Sequence, residues 1–496
     1  MRVLLINPPY FAVYRGFQKA ARVGVNFPTM GLLYLAGKLD ADGHDVKLMD
    51  IEIEDIGPEE VCQRVRDFDP QLVGITAVTP TFCKALDIAK NIKAVTDVPI
   101  VLGGIHFTTI GEPILRDHHE FDFGAIGEGE ITLSELAKCI KTGGDPAEVK
   151  GIIYRKDDGE VVRTAPRPLL MDLDELPFPA RHLINPNNYL WVPPGKGATP
   201  LATLLTKRGC PYFCSFCAQD QIFTRKVRYR SVQNVLDELH EIVNVHGYNH
   251  ISVSDDTLVI KRKRMMELCA GIKERGLKFT WEGMTRANLV DPELLRTQHE
   301  AGLSRMSLGV ESGNQDILDG VDKGTTLQQV RDGYKMTKEA GIETRGSAII
   351  GHPNETKKTA WETVKFLRSL KHLDQAYLNV MVPYPGTKVW EQAIKGEAGF
   401  RLLSDNYEDY VRYETPVLEV NDLDAKYLSR LQKIGLLLFY LTPRRIWYNV
   451  VVRAGIREGL RMAWLFMGAT IKRNDNPAGP AFNRTDPEAV ANGCTP

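Results

Sequence analysis

Two series of short apolar runs alternate with amphipathic segments, and a stretch that breaks the alternation separates them. In residues 1–140 the runs Val3–Ile6, Val46–Met49, Leu72–Thr76, Ile100–Leu102 and Phe123–Ile126 are spaced by segments of helical periodicity such as Met30–Asp42 and Phe82–Val95. That pattern predicts a doubly wound parallel sheet with helices on both faces, binding ligands at the carboxyl ends of its strands. Residues 200–395 repeat the alternation through Ala202–Thr206, Ile251–Ser254, Phe279–Glu282, Arg305–Val310, Gly346–Ile350 and Tyr377–Val382. About six β/α units predict a partial barrel whose strand ends carry the site. Between the two, residues 141–199 hold a hairpin around Asp158-Gly159 and the extended Leu176-Pro177-Phe178-Pro179, and read as a linker. Residues 396–473 read as a helical C-terminal region, and 474–496 as a polar, disordered tail in which Cys494 is incidental.

The chain has 496 residues, 43% hydrophobic and 25% charged, with a formal net charge of −1. No global basic field points to nucleic acid. The basic runs Arg225–Arg230 and Lys261–Arg264 read as solvated surface. No apolar run reaches the roughly 18 residues that span a bilayer. The strand-like start is broken by Pro8-Pro9, unlike a signal peptide, so a reducing cytoplasmic setting is expected. Ile434–Arg473 carries seven Lys or Arg residues against Glu458, with interleaved aromatics. Two readings stand: contact with a membrane surface or apolar substrate, or a helical cap with its arginines outward.

Cys210, Cys214 and Cys217 stand at C-x₃-C-x₂-C spacing, just after the run Ala202–Thr206. Thiolates at this density gather around a soft metal or an iron–sulfur cluster. Structural zinc wants four ligands, usually as two pairs, and the next cysteine is the isolated Cys269. Eight cysteines in this length do not make a disulfide framework. Three cysteines on a four-iron cluster leave one iron open to a small molecule.

With the aromatic Phe216 directly before the third cysteine, this stretch resembles the radical S-adenosylmethionine superfamily. The resemblance implies a 4Fe–4S cluster on Cys210, Cys214 and Cys217. Its open iron would chelate S-adenosylmethionine and cleave it to a 5′-deoxyadenosyl radical, with electrons from a flavodoxin- or ferredoxin-type donor. It also implies that Phe216, Asp256, Glu311, Ser312, Arg345 and Gly351 contact S-adenosylmethionine, with Arg345 pairing its carboxylate. The structural alternatives are a Glu311–Arg345 ion pair between strands and Asp256 as a helix cap.

A dinucleotide would need G-x-G-x-x-G after the first strand, where Asn7-Pro8-Pro9 stands instead. The loops Asn7–Pro9, Thr76–Pro80, Val101–His106 and Gly127–Glu130 are similar to those of the cobalamin-dependent class of the superfamily. The resemblance implies a Rossmann-like cobalamin-binding domain before a TIM-like partial barrel. Pro8, Pro9, Thr76, Thr79, Thr81, Gly103, Gly104, His106, Glu128 and Gly129 would touch the corrinoid, with His106 at its edge. Asp42-Gly43-His44 lacks the glycine of the cobalt-ligating loop, so His44 reads as an exposed turn residue.

The combination implies methyl transfer to an unactivated carbon or to phosphorus through methylcobalamin. Two alternatives remain open. One is a radical cyclase or oxidase without methyl transfer, similar to anaerobic magnesium-protoporphyrin monomethyl ester cyclase; the other is a non-catalytic cobalamin sensor. The substrate would be a small molecule, with an apolar, lipid or tetrapyrrole body allowed. Peripheral membrane contact through the C-terminal helices is also allowed.

Overall fold

The computed structural model describes residues 1–10, 27–192, 197–413, 416–453 and Cys494. The first sheet has β1 (Arg2–Asn7) flanked by β2 (Asp45–Asp50) and β3 (Leu72–Thr76), then β4 (Ile100–Gly103) and β5 (Phe123–Ala125), all parallel. Val3–Ile6 are all buried because helices cover both faces of the sheet, which is why the strands read as unbroken apolar runs. The chain leaves β1 toward β2 on one side and returns to β3 on the other. The crevice at the carboxyl ends of β1 and β3 is therefore the switch point. The hairpin expected in the linker, β6 (Ile152–Arg155) and β7 (Val161–Arg163), instead extends this sheet, antiparallel to β5. Ile152–Tyr154 are apolar and cover an edge that would otherwise lie open.

The second sheet contains β8 (Leu190–Trp191), β9 (Thr199–Leu204), β12 (His250–Val253), β13 (Thr280–Thr285), β14 (Leu303–Glu311), β15 (Glu343–Ile350) and β16 (Gln375–Val380). Between β9 and β12 in the chain, β10 (Lys207–Arg208) and β11 (Arg228–Tyr229) form a separate ribbon. The order β16-β15-β14-β13-β12-β9-β8, parallel except for β8, curls into a half-barrel. A polar floor closes its amino-terminal end. Arg305 is buried between Glu282, which accepts from Nε at 2.5 Å, and Glu343. Gln375 donates to Glu343 at 2.9 Å, and Trp191 stacks on His250 with centroids 3.6 Å apart. The carboxyl ends of the strands stay open.

The helix Ala425–Tyr440 covers the edge strand β16: Gln432 donates to the Leu378 carbonyl at 2.8 Å, and Tyr440 Oη meets Ala376 N and O, each at 3.1 Å. This is the helical cap, but not with every arginine outward. Arg445 is buried and donates to the carbonyls of Leu370 (2.7 Å) and Phe439 (3.1 Å). The rest of the basic segment from residue 454 lies outside the described residues. The described residues between 400 and 420 form no α-helix, contrary to expectation. They form an antiparallel pair, Phe400–Leu402 with Leu418–Val420, and send Tyr407 and Tyr410 into the core of the first sheet beside Phe82. Cys494 is not incidental, since its Sγ is bonded to that of Cys83.

Two further surface expectations are corrected. His44 is buried, at the amino-terminal edge of β2 and away from the ligand edge. Arg228 and Arg230 are buried in ion pairs rather than solvated. Arg230 shares Glu238 with Arg181, whose Nη2 lies 2.5 Å from Oε1, and all three are buried. Glu238→Gln would leave two guanidiniums without their carboxylate, a loss of about 3–5 kcal/mol. The expected result is a large fall in the urea midpoint, with the exposed Glu59→Gln unchanged.

Candidate functional site

The cysteine loop is held from several sides. Thr206 donates from N and Oγ1 to buried Asp255 at 2.7 and 2.6 Å, tying the end of β9 to the end of β12. The chain then turns at Gly209, φ +90°, where a Cβ would lie 2.5 Å from the Lys226 carbonyl oxygen. Ser215 N donates to Val321 O at 3.1 Å, and Val389 N to Ser215 O at 3.2 Å. Cys210 Sγ lies 3.4 Å from Thr257 Oγ1, and Cys214 Sγ accepts from Arg286 Nη1 at 3.6 Å. Among the described residues, no three His, Cys, Asp or Glu side chains converge as one metal ion requires. Three cysteines on one loop suit three corners of one cluster, whereas a structural zinc takes four ligands. Lys207 Nζ, Arg286 Nε, Ser215 Oγ and Thr325 Oγ1 are buried in this region without partners. Such donors fit a bound cofactor, because orphaned buried polar groups are costly.

The residues expected at S-adenosylmethionine separate into two levels. Glu311 ends β14 at φ +59°, a strained position for a non-glycine residue. It pairs with Lys323 Nζ at 2.8 Å rather than with Arg345. A Cβ at Gly309 would lie 2.3 Å from Glu311 Oε1, so only glycine leaves room for this pair. Arg345 sits opposite Ser307, four residues below Glu311 and so about 13 Å from it at ~3.3 Å per residue. There it donates to Ser307 Oγ at 2.7 Å and lies 3.9 Å from Glu282. It is too low to serve the same group as Glu311; Lys323 is the cation at that level. Ser312 is also corrected: it is fully buried against Thr363 Oγ1 (3.2 Å) and shapes the turn. Asp256 does not cap the next helix, which begins at Arg262 after Lys261. Burial pushes its carboxyl up to about 6, with Lys207 opposing the shift. Phe216 meets His352 edge-on at 5.8 Å. Gly351, φ +91°, donates its N–H to Glu355 at 2.5 Å.

At the edge of the first sheet, the ends of β1, β3, β4 and β5 bring together Pro8, Pro9, Thr76, Gly103 and Gly127. A Cβ at Gly103 or Gly127 would meet nothing within 4 Å. Val78, 42% exposed, stands on the same edge. A shallow, glycine-floored apolar shelf fits a broad flat ligand such as a corrinoid. Gly104 serves the scaffold instead: at φ +95° its Cβ would lie 2.5 Å from Ala77 O. Thr79 and Thr81 are buried behind the shelf, Thr81 bonding Val78 at 3.1 Å. His106 is not at the corrin edge. It is fully buried, 3.3 Å from Thr79 Oγ1, with its ring 4.5 Å from those of Phe82 and Tyr407, and burial pushes it down to about 3.

Glu128, expected at the corrinoid, does different work. It accepts from Arg228 Nη1 at 2.9 Å and lies 3.2 Å from Arg208 Nη1, while Glu130 Oε1 takes Arg208 Nη2 at 2.5 Å. Arg208 stands two residues before Cys210. The loop after β5 is thus latched onto the strand that delivers the cysteines. Gly129 sits inside the latch, where a Cβ would come within 3.1 Å of Leu35. A cavity of about 450 Å³ lies along the linker at Arg167 and Leu170, and one of about 330 Å³ runs from the same residues to Gly127, Glu128 and Thr224, beside the latch. Sequence reasoning missed Arg208, Arg286, Lys323 and Glu355. Arg208 and Glu355 flank motifs that were visible, whereas Arg286 and Lys323 carry no local signal.

Comparison with known proteins agrees with this geometry. The B12 binding domain matches residues 20–137, and the Radical SAM superfamily matches residues 204–367. An uncharacterized methyltransferase of Pyrococcus horikoshii is 32% identical over 93% of this chain and 98% of its own. The anaerobic magnesium-protoporphyrin IX monomethyl ester cyclase of Rubrivivax gelatinosus is 33% identical over 86% of this chain and 74% of its own. Among solved structures, the radical S-adenosylmethionine methyltransferase TsrM from Kitasatospora setae, with cobalamin and a [4Fe-4S] cluster bound, shares the fold. Its TM-score is 0.64 at 22% identity, covering 81% of this chain and 76% of that one.

Two outcomes test the site. Glu128→Gln is expected to lower both iron loading and hydroxocobalamin binding of reconstituted protein, because it loosens the latch. Loss of cobalamin alone would make Glu128 a ligand contact. Glu355 is fully buried, and burial pushes its carboxyl from 4.5 up to about 7, against hydrogen bonds from Gly351 and His352 N–H. A raised folded value means the stability is complete below 4.5 and is lost as pH rises through 7. Glu355→Gln removes this dependence. Relative to wild type it should gain on the order of 3 kcal/mol between about pH 4.5 and pH 8 in urea unfolding.

Proposed function

The chain belongs to the radical S-adenosylmethionine enzymes that carry a B12-binding domain, whose cofactors are a 4Fe–4S cluster, S-adenosylmethionine and cobalamin, and within that family we propose that it is a methyltransferase acting on an unactivated carbon, or phosphorus, of a small molecule. The observation that carries this reading is the latch: Glu128 and Glu130 hold the cobalamin shelf against the strand that presents Cys210, Cys214 and Cys217. When bound, the cluster with S-adenosylmethionine supplies a substrate-activating radical, and cobalamin supplies the methyl group.

The chain's own residues orient and exclude. The three cysteines hold the cluster. Glu311 and Lys323, level with the cluster loop, meet the amino and carboxylate ends of S-adenosylmethionine, as a paired cation and anion suit a zwitterion. Gly351 lets backbone approach the adenine, Phe216 packs beside it, and Asp256 stands half-buried at the mouth. Pro8, Pro9, Thr76, Gly103 and Gly127 floor the corrinoid. The closed floor under Arg345 keeps water from entering through the amino-terminal end. A flavodoxin- or ferredoxin-type donor supplies the electron. Among the described residues no helix is long and apolar enough to cross a membrane. Exposed Leu437, Leu441 and Trp447 support peripheral contact, which vesicle flotation would detect.

The second reading, a cyclase or oxidase without methyl transfer, is favoured by the likeness to the Rubrivivax protein. Anaerobic reconstitution is expected to give about four irons and one cobalamin per chain. Cys214→Ala should lose iron and S-adenosylmethionine cleavage while still binding cobalamin, with weakened affinity. Product one methyl group heavier than substrate supports the methyltransferase. Cleavage without methyl gain supports the cyclase reading, and zinc without iron overturns both.

A further inference from the structure

Most buried guanidiniums in this protein face a carboxylate: Arg208 has Glu130, Arg228 has Glu128, Arg230 has Glu238 and Arg305 has Glu282. Arg286 does not. It follows β13 directly, is 4% exposed, and among the described residues has no carboxylate in ion-pair distance. Its guanidinium lies 3.8 Å from the centroid of the Tyr212 ring. Its Nη1 donates to Cys214 Sγ at 3.6 Å, and its Nε is buried without a partner. A Cβ at Gly324 would come within 3.5 Å of Nη2, so backbone closes over the remaining side.

A buried cation without an anion is costly, and an aromatic face offsets only part of that cost. Buried Arg445 is satisfied by backbone carbonyls instead, but Arg286 Nε has no such partner and Nη1 points at Cys214, so an anion at Cys214 would complete its surroundings. We infer that Arg286 is the fixed counter-charge of the iron–sulfur cluster and raises its reduction potential. This rests on the cluster reading above. Three thiolates around a core of two positive charges carry one net negative charge. One electron from an external donor, which is itself oxidised by one electron, makes that two, and no bond forms or breaks. A cation fixed beside one thiolate favours the doubly negative state over the singly negative one. Arg286 thereby acts on the cluster rather than on substrate, and its side-chain charge matters more than its shape.

The test is a reductive titration of reconstituted wild type, Arg286→Lys and Arg286→Gln, followed by electron paramagnetic resonance at the potential that half-reduces wild type. Iron is measured on each sample. With about four irons per chain, Arg286→Gln is expected to show a reduced-to-oxidised ratio down about tenfold. Arg286→Lys should remain within about threefold of wild type. An Arg286→Gln cluster that stays half-reduced overturns the inference, as does Arg286→Lys falling as far as Arg286→Gln. Should Arg286→Gln hold no iron, Arg286→Lys decides alone: a ratio near wild type supports the charge role, and a tenfold fall overturns it. Full iron with an unmoved potential sinks only this inference. Wild type without iron sinks the cluster reading and this inference together.

Discussion

Arg208, enclosed by Glu128 and Glu130, is the contact on which the arrangement of the two cofactor edges depends. Its position two residues before Cys210 means that any movement of the first sheet's ligand edge is felt at the cysteine loop. The guanidinium also lies 5.3 Å from the ring of Tyr34 and 5.2 Å from that of Phe223, so both domains contribute to its seat. A buried ion pair is weak evidence for stability, because apolar replacements of similar shape can do as well. Its use here is registry. A planar fork between two carboxylates fixes direction as well as distance, which apolar packing would not.

The half-barrel works with this registry because it is closed at one end only. Arg305, Glu282, Glu343 and His250 fill the floor with charges that satisfy one another, and Trp191 seals it from β8. The open end then faces the shelf of the first sheet. Residues far along the chain strengthen the same orientation. Tyr407 and Tyr410 complete the core beneath the loop Thr79–Thr81, and Lys84 pairs with Glu408 at 2.8 Å. Gly386, where a Cβ would lie 2.9 Å from both Gln221 and Thr109, lets a barrel loop pass between the two domains.

The two β/α series were legible because periodicity is local: the strands expected at Val3–Ile6 and Leu72–Thr76 match β1 and β3 nearly to the residue. The cysteine loop was legible for the same reason. What the sequence hides is who pairs with whom. Gly127-Glu128-Gly129-Glu130 reads as a ligand loop from its glycines. Only the fold brings Arg208 and Arg228, about 80 and 100 positions later, onto its carboxylates. Arg345 reads as a strand-end cation, but parallel register lowers it four residues beneath Glu311. His106 reads as a polar loop residue, yet Tyr407 covers it from some 300 residues away. The hairpin at Asp158-Gly159 was visible, but not that β5 needed an edge partner.

Paired and unpaired charges have different thermodynamic meanings in this molecule. Arg181, Arg230 and Glu238 satisfy one another whether or not a ligand is present, so they belong to the scaffold. Lys207 Nζ and Arg286 Nε are buried and unsatisfied beside the cysteines. Folding without a cofactor must carry the cost of those donors, whereas folding with one does not. Any group that satisfies them binds the folded chain and not the unfolded one, and so stabilises it by mass action. The latch transmits the same effect: ordering the strand before Cys210 orders Glu128 and Glu130 and, with them, the shelf. Occupancy of the cysteine loop and of the shelf should therefore favour each other, and by linkage the coupling is equal in both directions.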